Sequence, residues 1–471
     1  MDAAPVSAGF TDAAAALLGP RGWTTDAELI QPWLTDWRQR FTGRALGMAS
    51  PADTAELAAL VKLCAKHRVP IVPQGGNSGM SGGATPDATG AAIVLSTRRM
   101  AAIRAIDAEA RTALCEAGVI LEVLHHAAEA QGLRFPLTLG GKGSATVGGL
   151  ISTNAGGTQV LRHGSMRALV LGLEAVLADG SIVSSMGKSL KDNAGYDWKQ
   201  LMIGSEGTLG IVTRAVLRLR PNPRSAQTAM IASNSVEDVS AMLRLLQARL
   251  AGRLSSFELM WRNFYEFVTA GQRDKRPPPM PGGSGIYVLV EALGDDEEAD
   301  AASFATALEE LFERGLAHDA VIAQSERQRA DLWATRDDLI DVMSAIKPRY
   351  AFDVSMALSD MARFVADTEA RVAESLPGAV LMFYGHGGDG NLHVIVGPGE
   401  RDGGYDMAND AVYAATRAVG GSISAEHGIG TYKKAYIGLT RSPTELDLMR
   451  RLKRALDPDD ILNPGKVLPA A

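Results

Sequence analysis

The stretch Pro73-Gln74-Gly75-Gly76-Asn77-Ser78-Gly79-Met80-Ser81-Gly82-Gly83 follows a short apolar run, Val69-Pro70-Ile71-Val72, and limits what the chain can become more than any other feature. Five glycines between positions 75 and 83 free the backbone for positive φ. They also let successive N–H groups turn inward, the concave arrangement that holds a diphosphate. Alone, such a run also fits a flexible surface loop. Two later stretches repeat the mixture of glycine and small hydroxyl residues beside apolar runs. One is Thr146-Val147-Gly148-Gly149 with Thr153-Asn154-Ala155-Gly156-Gly157, and the other is Gly204-Ser205-Glu206-Gly207-Thr208-Leu209-Gly210-Ile211-Val212. Three such loops can wrap one long, phosphate-bearing cofactor.

At 471 residues the chain can bury a large core and is too long for one ordinary domain, so two domains with a returning tail are expected. Hydrophobic content of 46% with 21% charge is that of a soluble globular protein. A net charge of −7 and no basic patch interleaved with aromatics argue against a nucleic-acid surface, which needs clustered Lys and Arg. Cys64 and Cys115 lie in apolar contexts and read as two reduced, buried thiols. Met1 to Pro20 carries no Lys or Arg and so lacks the basic start of a signal peptide. No apolar run approaches the length of a membrane span, and a cytoplasmic enzyme is the expectation.

Taken in order, residues 11–34 have a helical pattern, and a strand-like piece follows at 45–48. Ser50-Pro51-Ala52-Asp53-Thr54 precedes an amphipathic run, 55–67, and predicts a helix start. Apolar runs predict strands at 92–95, 103–107 and 112–117, then a helix at 119–131. The first domain, 1–222 with a core from about 44, is thus α+β and closes on a strand ended by Pro221-Asn222-Pro223. The second, 223–425, opens with a helix at 236–251. Strand-like segments at 286–291, 352–356, 379–384 and 392–396 alternate with helices near 299–313, 326–344 and 361–374. That alternation predicts an antiparallel sheet with helices on one face. The acidic run Asp295-Asp296-Glu297-Glu298 reads as a helix N-terminus, and 426–471 is a C-terminal segment.

Gly385-His386-Gly387-Gly388-Asp389-Gly390 matches G-x-G-x-x-G in form. A dinucleotide loop opens a helix, whereas here Asn391-Leu392-His393-Val394-Ile395-Val396 is a strand, so a nicotinamide site is rejected. The segment reads instead as a hairpin that brings His386 and His393 together. Two imidazoles with a carboxylate suit Zn²⁺ or Mn²⁺ with positions open for substrate, and Glu426 in Ser424-Ala425-Glu426-His427-Gly428 supplies the carboxylate. Each histidine taken singly reads equally well as a hydrogen-bonded structural residue. His427 adjoins Glu426, and because neighbouring side chains diverge it is placed as a general base rather than a fourth ligand. No role is assigned to His67, His125, His126 or His318.

These strings together resemble the vanillyl-alcohol-oxidase-type flavoproteins, and within them the FAD-dependent D-2-hydroxy-acid dehydrogenases, from about Pro51 to Pro469. The resemblance implies a PCMH-type α+β flavin domain, an antiparallel-sheet α+β substrate domain, and a tail that returns to the flavin. It implies that Pro73, Gln74, Gly75, Gly76, Asn77, Ser78 and Gly79 hold the FAD diphosphate. Gly148, Asn154, Gly156, Gly157, Glu206, Gly207, Gly210, Ile211 and Asn463 complete that site. Where some relatives attach the flavin through a His, Asn77 stands here; an amide has no nucleophilic nitrogen, so dissociable FAD is expected. His163 lies beside a flavin loop and fits a cofactor contact or a structural role.

The same resemblance makes His386, His393 and Glu426 ligands of a divalent metal, Zn or Mn, and Arg336 the fork onto the substrate's C1 carboxylate. A solvent-facing helix arginine is the alternative for Arg336. The reaction implied is oxidation of a D-2-hydroxy acid to the 2-oxo acid. His427 takes the hydroxyl proton, and hydride passes from C2 to flavin N5. An oxygen-using oxidase would need neither the metal set nor the arginine, and a non-catalytic flavoprotein subunit would not need to keep them. The electron acceptor (a quinone, an electron-transfer flavoprotein or a cytochrome) is left open, and a homodimer is compatible.

One departure bears on the substrate. The D-2-hydroxyglutarate branch of the family aligns a Thr, a Lys and an Asn on the distal carboxylate at positions that here hold Ile340, Ala351 and Ile395. A second carboxylate buried against these apolar residues would be an unpaired charge. An apolar substituent would instead gain roughly 0.8 kcal/mol per buried methylene. The expected substrate therefore carries a methyl, alkyl or aryl side chain, as D-lactate and its longer homologues do. Lys347 and Arg349 are the nearby cations that could replace the missing Lys.

Overall fold

Asp53 starts the long helix that precedes the glycine loop. Its carboxylate accepts the Glu56 N–H at 2.9 Å, and Leu57, Leu60, Val61 and Cys64 turn inward at helical spacing along Thr54–His67. The helix ends at Arg68 in the left-handed conformation, and the chain passes directly into a buried strand. The computed structural model describes residues 8–271, 276–337, 339, 344–397, 399 and 401–469. These form two compact units: Met1–Gly156 with Gly164–Asn222 and Glu426–Ala471, and Gly157–His163 with Pro223–Ala425.

In the first unit, β1 (Trp23–Thr24), β2 (Gly47–Ala49), β3 (Ile71–Gln74) and β4 (Ile93–Ser96) form a sheet in the order β1-β2-β4-β3. Its three longer strands are parallel and fully or nearly buried. A second sheet is antiparallel. It joins β5 (Ile103–Asp107), β6 (Thr112–Glu116), β8 (Val170–Val176), β9 (Ile182–Ser185) and β10 (Ile211–Arg218) in the order β5-β6-β10-β8-β9. The short pair β7 (Leu133–Arg134) and β11 (Arg220–Pro221) closes the unit beside the Pro-Asn-Pro stop. Cys64 and Cys115 are free and buried, as their apolar surroundings predict. The continuous helix expected at 11–34 is broken. Gly19, at φ 64°, and Pro20 interrupt Ala8–Gly22, the chain pairs as β1, and Asp26 caps a separate short helix, Ala27–Ile30.

Among the described residues, the second unit holds one antiparallel sheet of seven strands. They are β12 (Ser225–Ser233), β13 (Leu254–Trp261), β14 (Ile286–Gly294), β15 (Asp319–Ile322), β16 (Tyr350–Ser355), β17 (Val380–His386) and β18 (Asn391–Gly397), in the order β15-β12-β14-β13-β17-β18-β16. Helices cover both faces, not one. Phe364 and Tyr413, on the helices Met361–Ser375 and Gly404–Ala418, meet Phe383 and Phe352 on one side. Phe264, Tyr265 and Leu332, from Arg262–Gly271 and Glu326–Asp337, pack with Met230, Met260, Tyr287 and Leu289 on the other. The cause is in the strands: every residue of β14 is buried, so neither face can be left to water. Asp296 caps Glu297–Glu313, the role expected of the acidic run. Among the described residues no helix is long and apolar enough to cross a membrane.

Candidate functional site

Because strand side chains alternate, the ladder register decides which residues share a face. Glu258 of β13 pairs with His386 of β17, and Met260 with Tyr384. Tyr384 pairs with His393 of β18, His393 with Asp353 of β16, and Ile395 with Ala351. All of these project to the side covered by Glu326–Asp337, from which Arg336 descends. The expected hairpin is therefore real, and its loop of residues 387–390 joins two strands rather than opening a helix.

Arg336 is buried, which excludes the solvent-facing alternative. Its Nε donates to Glu258 Oε2 at 2.9 Å, and its Cζ lies 4.9 Å from the Tyr384 ring centroid. The other oxygen of Glu258 lies 2.8 Å from His386 Nδ1. The His386 and His393 rings are 5.4 Å apart, and His393 Nδ1 is 3.8 Å from Asp353 Oδ1. Asn391 donates from Nδ2 to Asp353 Oδ1 and to the Val354 carbonyl, both at 2.9 Å. Burial would raise the Glu258 carboxyl, but His386 and Arg336 outweigh it and hold Glu258 below the usual carboxylate range. Burial likewise works against the Arg336 charge, and Glu258 and Asp337 restore it. Burial pushes Asp389, in the hairpin loop, up to about 6.

Ala351 is half-buried and Ile395 buried, whereas Lys347 and Arg349 are exposed. Ile340 lies outside the described residues. Glu426 and His427 follow Ala425, the last residue of the second unit, whose N–H donates to the Asp353 carbonyl at 3.4 Å.

In the first unit the glycine loop follows β3, but its glycines mostly serve close approach rather than positive φ. Of the five, only Gly82 has positive φ, and Asn77 adopts φ 52° instead. A Cβ on Gly76 would sit 1.7 Å from the Ser144 carbonyl oxygen, and one on Gly75 2.1 Å from Thr146 Oγ1. Gly79 faces open space. Ser78 lies beside it on the same loop. Asn77 Nδ2 donates to the Thr35 carbonyl at 2.8 Å. Several other residues expected around the flavin have packing reasons of their own. A Cβ on Gly148 would meet Ala117, one on Gly207 would meet Pro73, and one on Gly210 would meet Met202. Asn154 ends the helix Val147–Thr153 in the left-handed conformation and accepts from Ser165 Oγ and the Arg167 N–H. Gly156 is buried after it, Ile211 opens β10, and Gly157 and His163 fall in the segment grouped with the second unit.

The tail docks on this loop. The Ile71 N–H donates to the Ile461 carbonyl and the Asn463 N–H to the Ile71 carbonyl, while Asn463 Nδ2 reaches the carbonyls of Gly83 and Glu206. Glu206 spends its carboxylate on the backbone N–H groups of Ile429 and Gly430, at 2.6 and 2.9 Å. Lys466 Nζ donates to the Thr85 carbonyl and Thr431 Oγ1, and burial brings its pKa down to about 8.

Residues 45–185 match the family described as "FAD binding domain", and residues 222–467 match "FAD linked oxidases, C-terminal domain". The D-2-hydroxyglutarate dehydrogenase of Xanthomonas citri pv. viticola is 38% identical over 94% of this chain and 93% of its own length. The mitochondrial D-2-hydroxyglutarate dehydrogenase of Bos taurus is 38% identical over 94% and 81%. The chain belongs to the FAD-dependent D-2-hydroxy-acid dehydrogenases. Its fold is that of the solved p-cresol methylhydroxylase, with a TM-score of 0.75 and 17% identity over 98% of each chain.

The dehydrogenase has a first unit that fits FAD. Gln74 Oε1 and Asn463 Oδ1 are buried acceptors with no hydrogen-bond partner among the described residues, and they suit a ligand carrying O–H and N–H donors. Gly79 is exposed, and a Cβ there would meet no protein atom within 4 Å. The donor set of the second unit, two imidazoles on neighbouring strands with one ring anchored through Nδ1, fits a divalent cation. Sequence reasoning missed Glu258 and Tyr384. The signal for Glu258 was present, a single carboxylate inside the otherwise uncharged run Leu254–Trp261.

Proposed function

We propose that this dehydrogenase oxidises D-2-hydroxy acids with apolar side chains, D-lactate and its longer homologues, to the 2-oxo acids. The observation that carries the reading is the cross-strand pair Ala351–Ile395, apolar and on the face that holds His393. Arg336, held by Glu258 and Tyr384, presents a fixed cation to the substrate's C1 carboxylate. His427 accepts the hydroxyl proton as C2 is oxidised. His386, His393 and Glu426 would hold a zinc or manganese ion. When bound, the cation supplies Lewis acidity and the FAD supplies a hydride acceptor. The apolar pair excludes water from the substrate's side chain and offers no partner to a second carboxylate. A cytoplasmic location and a quinone, electron-transfer flavoprotein or cytochrome acceptor belong to the same proposal.

The names of the relatives favour a second reading, D-2-hydroxyglutarate as substrate. It requires a cation for the distal carboxylate, and Lys347 or Arg349 would have to leave solvent to provide it. A panel of D-2-hydroxy acids assayed with an artificial dye acceptor separates the two. Values of kcat/KM for D-lactate and D-2-hydroxy-4-methylpentanoate above that for D-2-hydroxyglutarate are expected, and the reverse order refutes the apolar reading.

A further inference from the structure

Glu258 lies fully buried at the middle of the site face, and each of its oxygens has a different partner. Oε1 lies 2.8 Å from His386 Nδ1 and Oε2 accepts from Arg336 Nε at 2.9 Å. Neutralising a buried arginine needs one carboxylate contact. Dividing the carboxylate between an arginine and an imidazole ties together two side chains from different elements, the helix Glu326–Asp337 and strand β17. Strand pairing fixes the histidine half of this contact, because Glu258 and His386 are direct cross-strand neighbours. Tyr384, on the same face, bears against the arginine and also lies 4.9 Å from His393.

The consequence is chemical. With Nδ1 of His386 donating to a carboxylate, the ring is held in the tautomer whose Nε2 lone pair can bind a cation, and its plane is set. With Nε of Arg336 engaged by Glu258, the terminal nitrogens of the guanidinium, of which Nη1 lies 3.6 Å from Asp337 Oδ1, are the ones left to grip a substrate carboxylate. We propose that Glu258 is a positioning residue that sets the metal-binding nitrogen of His386 and the orientation of Arg336 through one shared carboxylate. This rests on the reading that His386 binds a divalent cation and Arg336 the substrate carboxylate.

The test uses the FAD-loaded protein stripped of metal and titrated with Zn²⁺ alone, by competition with a chromophoric chelator, followed by substrate kinetics at saturating Zn²⁺. Glu258→Gln presents one oxygen and one N–H₂ where two oxygens are needed. Zn²⁺ affinity is expected to fall by roughly 10- to 100-fold. KM is expected to rise by a factor that saturating Zn²⁺ does not restore, and the flavin absorbance spectrum to stay as in wild type. Glu258→Asp keeps the charge but is one methylene too short to span both partners, and it decides the matter if the glutamine variant fails to fold. Wild-type Zn²⁺ affinity and KM in the variant, with affinity lost in His386→Ala, overturn the proposal while leaving the metal reading intact. Zn²⁺ affinity unchanged in His386→Ala overturns the metal reading and the proposal with it.

Discussion

Ala351 and Ile395 face each other across the antiparallel β16–β18 ladder, on the same side of the sheet as the neighbouring pair Asp353 and His393. A polar and a cationic side chain at these two positions would provide what a distal carboxylate needs and an alkyl group does not. The double variant Ala351→Lys, Ile395→Asn is expected to raise the ratio of kcat/KM for D-2-hydroxyglutarate over D-lactate by about 10-fold or more, the scale of one charge-assisted contact. An unchanged ratio would remove this pair from the substrate pocket.

Gly76 and Gly79 stand three residues apart and should fail in different ways. A Cβ at Gly76 meets a backbone oxygen at 1.7 Å, so Gly76→Ala forces the loop and the 144–146 segment apart, at a cost of about 1–3 kcal/mol in thermal unfolding of the apoprotein. Gly79 has nothing within 4 Å. Gly79→Ala should change apoprotein stability by no more than about 0.5 kcal/mol, yet weaken FAD in a titration followed by flavin fluorescence. Equal FAD affinity in Gly79→Ala and wild type would place the diphosphate elsewhere.

Asn77 gives a chemical prediction. Its amide nitrogen already donates to the Thr35 carbonyl, and it cannot attack a flavin methyl carbon as a histidine nitrogen does. Acid precipitation of the yellow protein should leave all of the flavin in the supernatant, and colour retained in the pellet would show a covalent bond.

What could be read from the sequence follows from how local each cause is. The hairpin between His386 and His393 was legible because a glycine-rich turn between two apolar runs carries its own signal. The caps at Asp53 and Asp296 are equally local. The strands β12 and β13 were not seen: their small and hydroxyl residues, Ser225 to Ser233 and Ser255-Ser256, lower the apolar contrast, and their ladder partners, β14 and β15 for β12 and β14 and β17 for β13, make them strands. Glu258 stands out in its run as a lone carboxylate, but what it does lies in partners 78 and 128 residues away. The tail shows the converse case. Asn463 was picked out through the family resemblance, while the way Glu206 grips Ile429 and Gly430 depends on a fold that no local pattern encodes.

Metal dependence has a direct test. Glu426→Gln keeps the shape of the side chain and removes its charge, so Zn²⁺ affinity should fall by about 10-fold or more and activity should recover in part at high metal. Prolonged chelation should abolish turnover in wild type, and full activity in protein shown metal-free by elemental analysis would refute the dependence.

Glu206 gives a pH prediction with a definite sign. Burial raises its pKa to about 7, against the lowering effect of the Ile429 and Gly430 N–H groups and of Lys433 and Lys466. In the unfolded chain it titrates near 4.3. Between these values the folded state keeps a proton that the unfolded state has released, so stability falls as pH rises from about 4 to about 7; above that both states are ionised and the loss is complete. The side chain keeps some contact with solvent, so the loss is about 1–3 kcal/mol, less than the full pKa interval would give. Lys466 does not obscure the window: brought down to about 8, it titrates above it, and it makes stability rise with pH between there and its unfolded value near 10.4. Glu206→Gln removes the carboxyl titration. Subtracting its denaturant-unfolding free energy from that of wild type at matched pH cancels the other groups, and the difference should decline from pH 4.5 to 7.5. A difference that stays flat across that range would mean that Glu206 ionises normally and holds Ile429 and Gly430 as a carboxylate throughout.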